Sequence, residues 1–101
     1  MNKYTVIISE QAQQDLRDLS NTITFEYKSP VTAIKYLKGI YAQMRKLNSS
    51  AETYVAQTHK YFSQYGLTAR RLNYKKMTII YTVNNRKVYI QRVVPSSSIT
   101  G

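Results

Sequence analysis

The chain has no cysteine, a single histidine and only five acidic residues among its 101 positions, and no acid follows Glu52. The absence of cysteine excludes disulfides and thiolate metal sites; neither a metal nor a cofactor is expected. No secretory pattern opens the sequence, which makes a cytoplasmic, reducing setting the expectation. Long hydrophobic runs are missing too. Val6 to Ile8 and Met77 to Val83 are strand-sized and fall far short of the ~20 residues that span a bilayer, so no membrane partner is expected.

The shortage of acid is also a matter of position. Glu10, Asp15, Asp18, Glu26 and Glu52 share the first 52 residues with seven Lys and Arg; the last 49 residues carry eight Lys and Arg and no acid, and so supply most of the net charge of +10. A merely solvated surface mixes signs. A stretch cationic throughout points instead to binding of nucleic acid or of an acidic partner.

At this length the chain is expected to be one domain, residues 1–101, with a core that needs no staples and a polar tail over 96–101. Lys3 to Ile8 reads as a first strand. Ser9 is a suitable N-cap, and Ala12, Leu16, Leu19, Ile23 and Tyr27 set one apolar stripe on a helix from Glu10 to Tyr27. Ser29-Pro30 starts a second helix, in which Ala33, Leu37, Ile40, Met44 and Leu47 form the stripe, ending near Asn48. Gly39 within it suggests a close approach of the first helix.

Asn48 to Gly66 has no sustained period and reads as irregular, with one helical turn or an edge strand near Tyr54 to His59. Ala69 to Val94 is rich in Val, Ile, Thr and Tyr, and reads as three strands with tight turns at Lys75-Lys76 and Asn84-Asn85. The fold class is therefore α+β: an N-terminal strand, a helical hairpin and a three-stranded antiparallel meander, giving a four-stranded sheet with helices on one face. The other face is expected to be open and to gather the cations.

VIISEQAQQDLRDL, SPVTAIKYLKGI and RRLNYKKMTIIYTVNNRKVYIQRVV, in this order and spacing, resemble the RelE/ParE toxins of type II toxin-antitoxin modules. The resemblance covers nearly the whole chain. It implies a four-stranded antiparallel sheet flanked by a helical hairpin, growth arrest, a role of the plasmid-stabilisation kind, and a hetero-oligomer in which an acidic antitoxin wraps and neutralises the toxin. Two routes to toxicity are implied, ribosome-dependent mRNA cleavage or poisoning of DNA gyrase.

Metal-free RNA cleavage needs a base, an acid and cations around the phosphorane. Arg70, Arg71 and Arg92 are candidate catalytic cations, since Arg70 or Arg71 and Arg92 match basic strand positions of the cleaving members. With no carboxylate on the meander, the acid-base candidates are tyrosines, Tyr81 and Tyr89 foremost with Tyr74, should clustered cations lower a pKa near 10. His59 reads as a surface or hydrogen-bonded residue. The ending PSSSITG lacks the His or Tyr that completes the site in cleaving members.

Lys75, Lys76, Arg86 and Lys87 are candidate contacts to nucleic acid or target, and Leu16, Leu37, Ile40 and Met44 to the antitoxin. The strand ending in Arg92-Val93 resembles gyrase-directed members and tilts the reading toward non-nuclease action. The alternatives are a ribosome-dependent mRNA endonuclease and a non-toxic nucleic-acid-binding module whose tyrosines stack on bases.

Overall fold

Two serines punctuate the helical part. Ser9 Oγ accepts from Ala12 N at 3.0 Å and Ser29 Oγ from Thr32 N at 3.2 Å, while Pro30 occupies the first helical turn, where its missing N–H costs nothing. In a computed structural model that describes residues 3–66 and 68–99, the elements run β1 (Thr5–Ile8), α1 (Glu10–Tyr27), α2 (Pro30–Ser50), β2 (Arg70–Tyr74), β3 (Met77–Asn84) and β4 (Lys87–Pro95). Short 3-10 turns at Lys60–Tyr65 and Ser96–Ser98 complete it. Among the described residues no helix is long and apolar enough to cross a membrane.

The sheet order is β1-β4-β3-β2. The meander is antiparallel as expected, but β1 pairs parallel with β4. An all-antiparallel sheet is therefore corrected to a mixed one. Within the meander the strands alternate in direction, and the last of them, β4, lies beside β1 and runs with it. The second turn also moves by one residue. Asn85 and Arg86 both take positive φ (51° and 62°), the signature of a two-residue turn that matches strand twist, while Asn84 still belongs to β3.

Against the helices the sheet presents Leu72, Ile79, Tyr81, Val88, Ile90 and Val93, which close over Ala12, Leu16, Ile40, Met44 and Leu47. The far face is not open. Ile80 and Val94 are buried there beneath Phe62 and Ala69, with Tyr61, Tyr65 and Ile99 packed alongside. Strand alternation explains it: β3 is apolar at consecutive positions, so both of its faces need cover. The irregular segment supplies that cover. The expected edge strand reduces to one bridge, Ala56 to Arg70, and the helical turn comes later, at Lys60–Tyr65. Of the polar tail, Ser96 N donates to Lys76 O at 2.8 Å, and Thr100 and Gly101 lie outside the described residues.

Gly39 does mark a close approach, but by Tyr74 of β2 rather than by α1. A Cβ on Gly39 would sit 1.9 Å from the Tyr74 hydroxyl oxygen and 2.3 Å from Cζ. Tyr74 packs edge-on against Tyr36, with ring centroids 5.4 Å apart, and would have to swing out. Gly39→Ala should therefore lose about 1–2 kcal/mol even after the helix-propensity gain of about 1 kcal/mol. Thermal unfolding checks this: the midpoint should fall by roughly 5–10 °C. In a Tyr74→Ser background the same change should raise it.

Candidate functional site

Arg71, Ile80 and Arg92 stand in register across β2, β3 and β4, which puts both arginines on the face turned away from the helices. Arg71 lies over the Phe62 ring, 5.7 Å from its centroid. Its Nε and Nη2 donate to Asn73 Oδ1 (3.3 and 3.1 Å) and Nη2 also to Thr78 Oγ1 at 3.1 Å. Thr78, fully buried, donates to Asn73 Oδ1 at 2.9 Å and shares a hydrogen bond with Ser96 Oγ at 2.7 Å. Every one of these partners is neutral.

Arg92 is held differently. β1 ends opposite Ile90, two residues before Arg92, which leaves this stretch of the β4 edge to α1, and a bulge at Ile80/Tyr81 brings Arg92 into register with Ile80. Asp15 fills that edge: Oδ2 accepts from Arg92 Nε at 2.7 Å and from Val93 N at 2.9 Å, and Oδ1 accepts from Arg92 Nη2 at 3.0 Å. Tyr65 lies beside this pair. Burial, more than the neighbouring Tyr61, pushes its phenol above the usual range, with Arg92 only partly opposing.

The remaining candidates do not join them. Arg70 alternates to the helix side, where Nη1 donates to Glu52 O at 3.3 Å and to Tyr54 O, anchoring the chain just past α2. Tyr81 is fully buried on that side, its hydroxyl donating to Ala51 O at 2.6 Å. Burial raises its pKa, opposing any role as a base. Tyr89, in register with Thr82, shares the far face but lies beyond the bulge. Lys75 and Lys76 turn at one end of β3; at the other Arg86 lies in the turn and Lys87 opens β4. These seven cations are thus spread over both faces and both ends rather than gathered on one surface.

Tyr81→Phe would orphan the Ala51 carbonyl, at a cost of about 1–2 kcal/mol near neutral pH. The pH dependence has a definite sign. The unfolded phenol ionises near pH 10 while the buried one stays protonated, so Tyr81 contributes stability below about pH 10 that is lost as pH rises further. Unfolding midpoints followed from pH 8 to about 11 should fall less steeply for Tyr81→Phe than for the parent chain.

Of the hairpin residues expected to meet an antitoxin, Leu16, Ile40 and Met44 are 2%, 0% and 2% exposed, and Leu37 is half-buried in the same core. The stripe that makes the helices amphipathic is consumed by the sheet. What remains outside is Phe25, Tyr27, Val31 and Ile34 at the hairpin tip, and a groove of about 610 Å³ between the free edge of β1 and α2. Lys3, Arg45 and Arg86 line the groove beside Tyr4, Val6 and Tyr41, and among the described residues no carboxylate does. His59 caps the Lys60–Tyr65 turn, its Nδ1 accepting from Tyr61 N at 3.1 Å, a hydrogen-bonded residue as expected.

Residues 6–99 match the family model for the ParE toxin of the type II toxin-antitoxin system parDE. The chain belongs to the ParE toxin family. A solved structure described as the chromosomal ParDE toxin-antitoxin system from P. aeruginosa superposes with a TM-score of 0.77 at 16% identity, covering 92% of this chain and 96% of that one. At that identity the likeness concerns the fold. No curated protein matches the chain. In this ParE chain, Asp15 and the Asn73–Thr78–Ser96 network are the site features that sequence reading did not single out. Asp15 sits 77 positions from Arg92, and a lone acid on a helix carries no signal of the strand it will meet.

Proposed function

We propose that the chain arrests growth in the cytoplasm by binding DNA gyrase rather than by cutting mRNA, and that an acidic antitoxin silences it. One observation carries the first part: the phenols that a nuclease would need as a base are sealed away or held protonated. Tyr81 is sealed in the core, and the phenol beside Arg92, Tyr65, is pushed away from ionisation. A binding surface needs no base. Arg71 and Arg92, two strands apart around Ile80, offer a fixed pair of guanidinium groups to an acidic or phosphate-bearing surface.

The groove at the β1 edge supports the second part. Three cations around an apolar floor, next to a strand edge with free backbone groups, suit an acidic peptide that adds ion pairs to buried apolar area. Toxin and antitoxin would then form a hetero-oligomer.

The test is expression of the chain with and without an adjacent acidic reading frame, followed by two assays. Purified chain should trap cleaved DNA with gyrase. Primer extension on translated mRNA should show no codon-phased cuts. The mRNA-cleavage reading keeps one observation in its favour, the alignment of the two arginines, and phased cuts would establish it instead. Absence of growth arrest at full expression would favour the non-toxic binding module.

A further inference from the structure

We infer that Asp15 is a positioning residue for Arg92, fixing its guanidinium so that one edge is spent inside the fold and the other faces the target. The inference rests on the reading above, in which Arg92 meets the target. Asp15 itself cannot do so, because its side chain is 8% exposed while that of Arg92 is 33% exposed. Both carboxylate oxygens are occupied by the guanidinium, and Oδ2 in addition by Val93 N. The carboxylate is thus tied to the strand backbone as well as to the side chain. This fork consumes Nε and one N–H of Nη2. Three of the five guanidinium donors lie outside this fork, with the Tyr65 phenol beside them.

The consequence is pre-organisation. An arginine on an exposed strand loses rotamer freedom when it docks, and a guanidinium locked during folding does not lose it again. The arrangement has a cost in charge, since Asp15 offsets the cation it holds. A carboxylate placed only to neutralise would not need a fork and a backbone bond. The bulge after Ile80 serves the same end: without it Arg92 would pair with Ile79 on the helix side, and with it Arg92 pairs with Ile80 on the far face, beside the stretch of β4 that β1 leaves to α1.

The test is a double-mutant cycle with purified chains, read as thermal midpoint and as potency in gyrase inhibition, with growth arrest at matched expression as a target-independent readout. All potency measurements are made well below each midpoint. Asp15→Asn keeps the shape but cannot offer two acceptors to the fork and a third to Val93 N, and should lower potency about tenfold in the parent chain. In an Arg92→Ala background, Asp15→Asn should lower potency no further. Arg92→Lys, which keeps the charge and loses the fork, should behave like Asp15→Asn.

A merely structural Asp15 would lower potency by the same factor in both backgrounds, and unchanged or raised potency in Asp15→Asn would show that Asp15 only neutralises; either overturns the inference. Full potency of Arg92→Ala would instead overturn the assignment of Arg92 to the target surface. A chain inactive on gyrase but still arresting growth would overturn the target alone, leaving the cycle to be read from growth.

Discussion

Arg71→Ala should reduce growth-arrest potency by roughly 30- to 100-fold, the 2–3 kcal/mol typical of an arginine at the centre of a contact. The fold should hardly register the change. Arg71 bonds only to neutral side chains, and Asn73, Thr78 and Ser96 remain bonded to one another when it is gone. The melting midpoint should stay within about 5 °C of the parent. Arg70→Ala, one residue earlier, should do the reverse. It strips the Glu52 and Tyr54 carbonyls of their donor, at a cost of about 2 kcal/mol and on the order of 10 °C, while potency per folded molecule is kept. Growth arrest at matched expression together with thermal unfolding separates the two. Equal losses of potency would mean that the target surface wraps around the β2 edge.

The contrast between these neighbours shows where sequence reading stops. Period and caps are local, and they place α1 from Glu10 to Tyr27 and the start of α2 at Pro30 without error. Charge is local only as a count. Whether a cation on a strand faces outward depends on the parity of its position, and whether it stays free depends on what arrives from elsewhere in the chain. Arg70 and Arg71 differ by one step of the pleat, so one became an anchor for the chain leaving α2 and the other part of the far-face cluster. The cover over that face comes from a segment without period, in which Phe62 is the one large side chain fully buried among the described residues. No hydrophobic pattern announces it.

The same limit explains the antitoxin candidates. Leu16, Ile40 and Met44 were visible because they repeat at helical spacing, and that repetition is the mark of residues owed to the domain's own core. Residues available to a partner are those that break the stripe. Tyr41 is 38% exposed one position after Ile40, which is fully buried.

That distinction leads to the second large effect. Reversing two charges of the groove, Arg45→Glu with Arg86→Glu, should weaken binding of the acidic antitoxin about 100-fold, because each site exchanges an attraction for a like-charge repulsion. The loss should shrink at high salt, where both terms are screened. Toxicity should persist, since neither residue belongs to the Arg71–Arg92 face. Ile40→Ala is the internal control. It removes a fully buried side chain from the centre of the helix–sheet layer and should cost about 3–4 kcal/mol of stability, with antitoxin affinity unchanged for the molecules that remain folded. Calorimetric titration of antitoxin into each variant, with unfolding midpoints measured alongside, decides the matter. Parental affinity in the charge-reversed chain would move the antitoxin from the β1 edge to the hairpin tip, where Phe25, Tyr27, Val31 and Ile34 are the next surface to test.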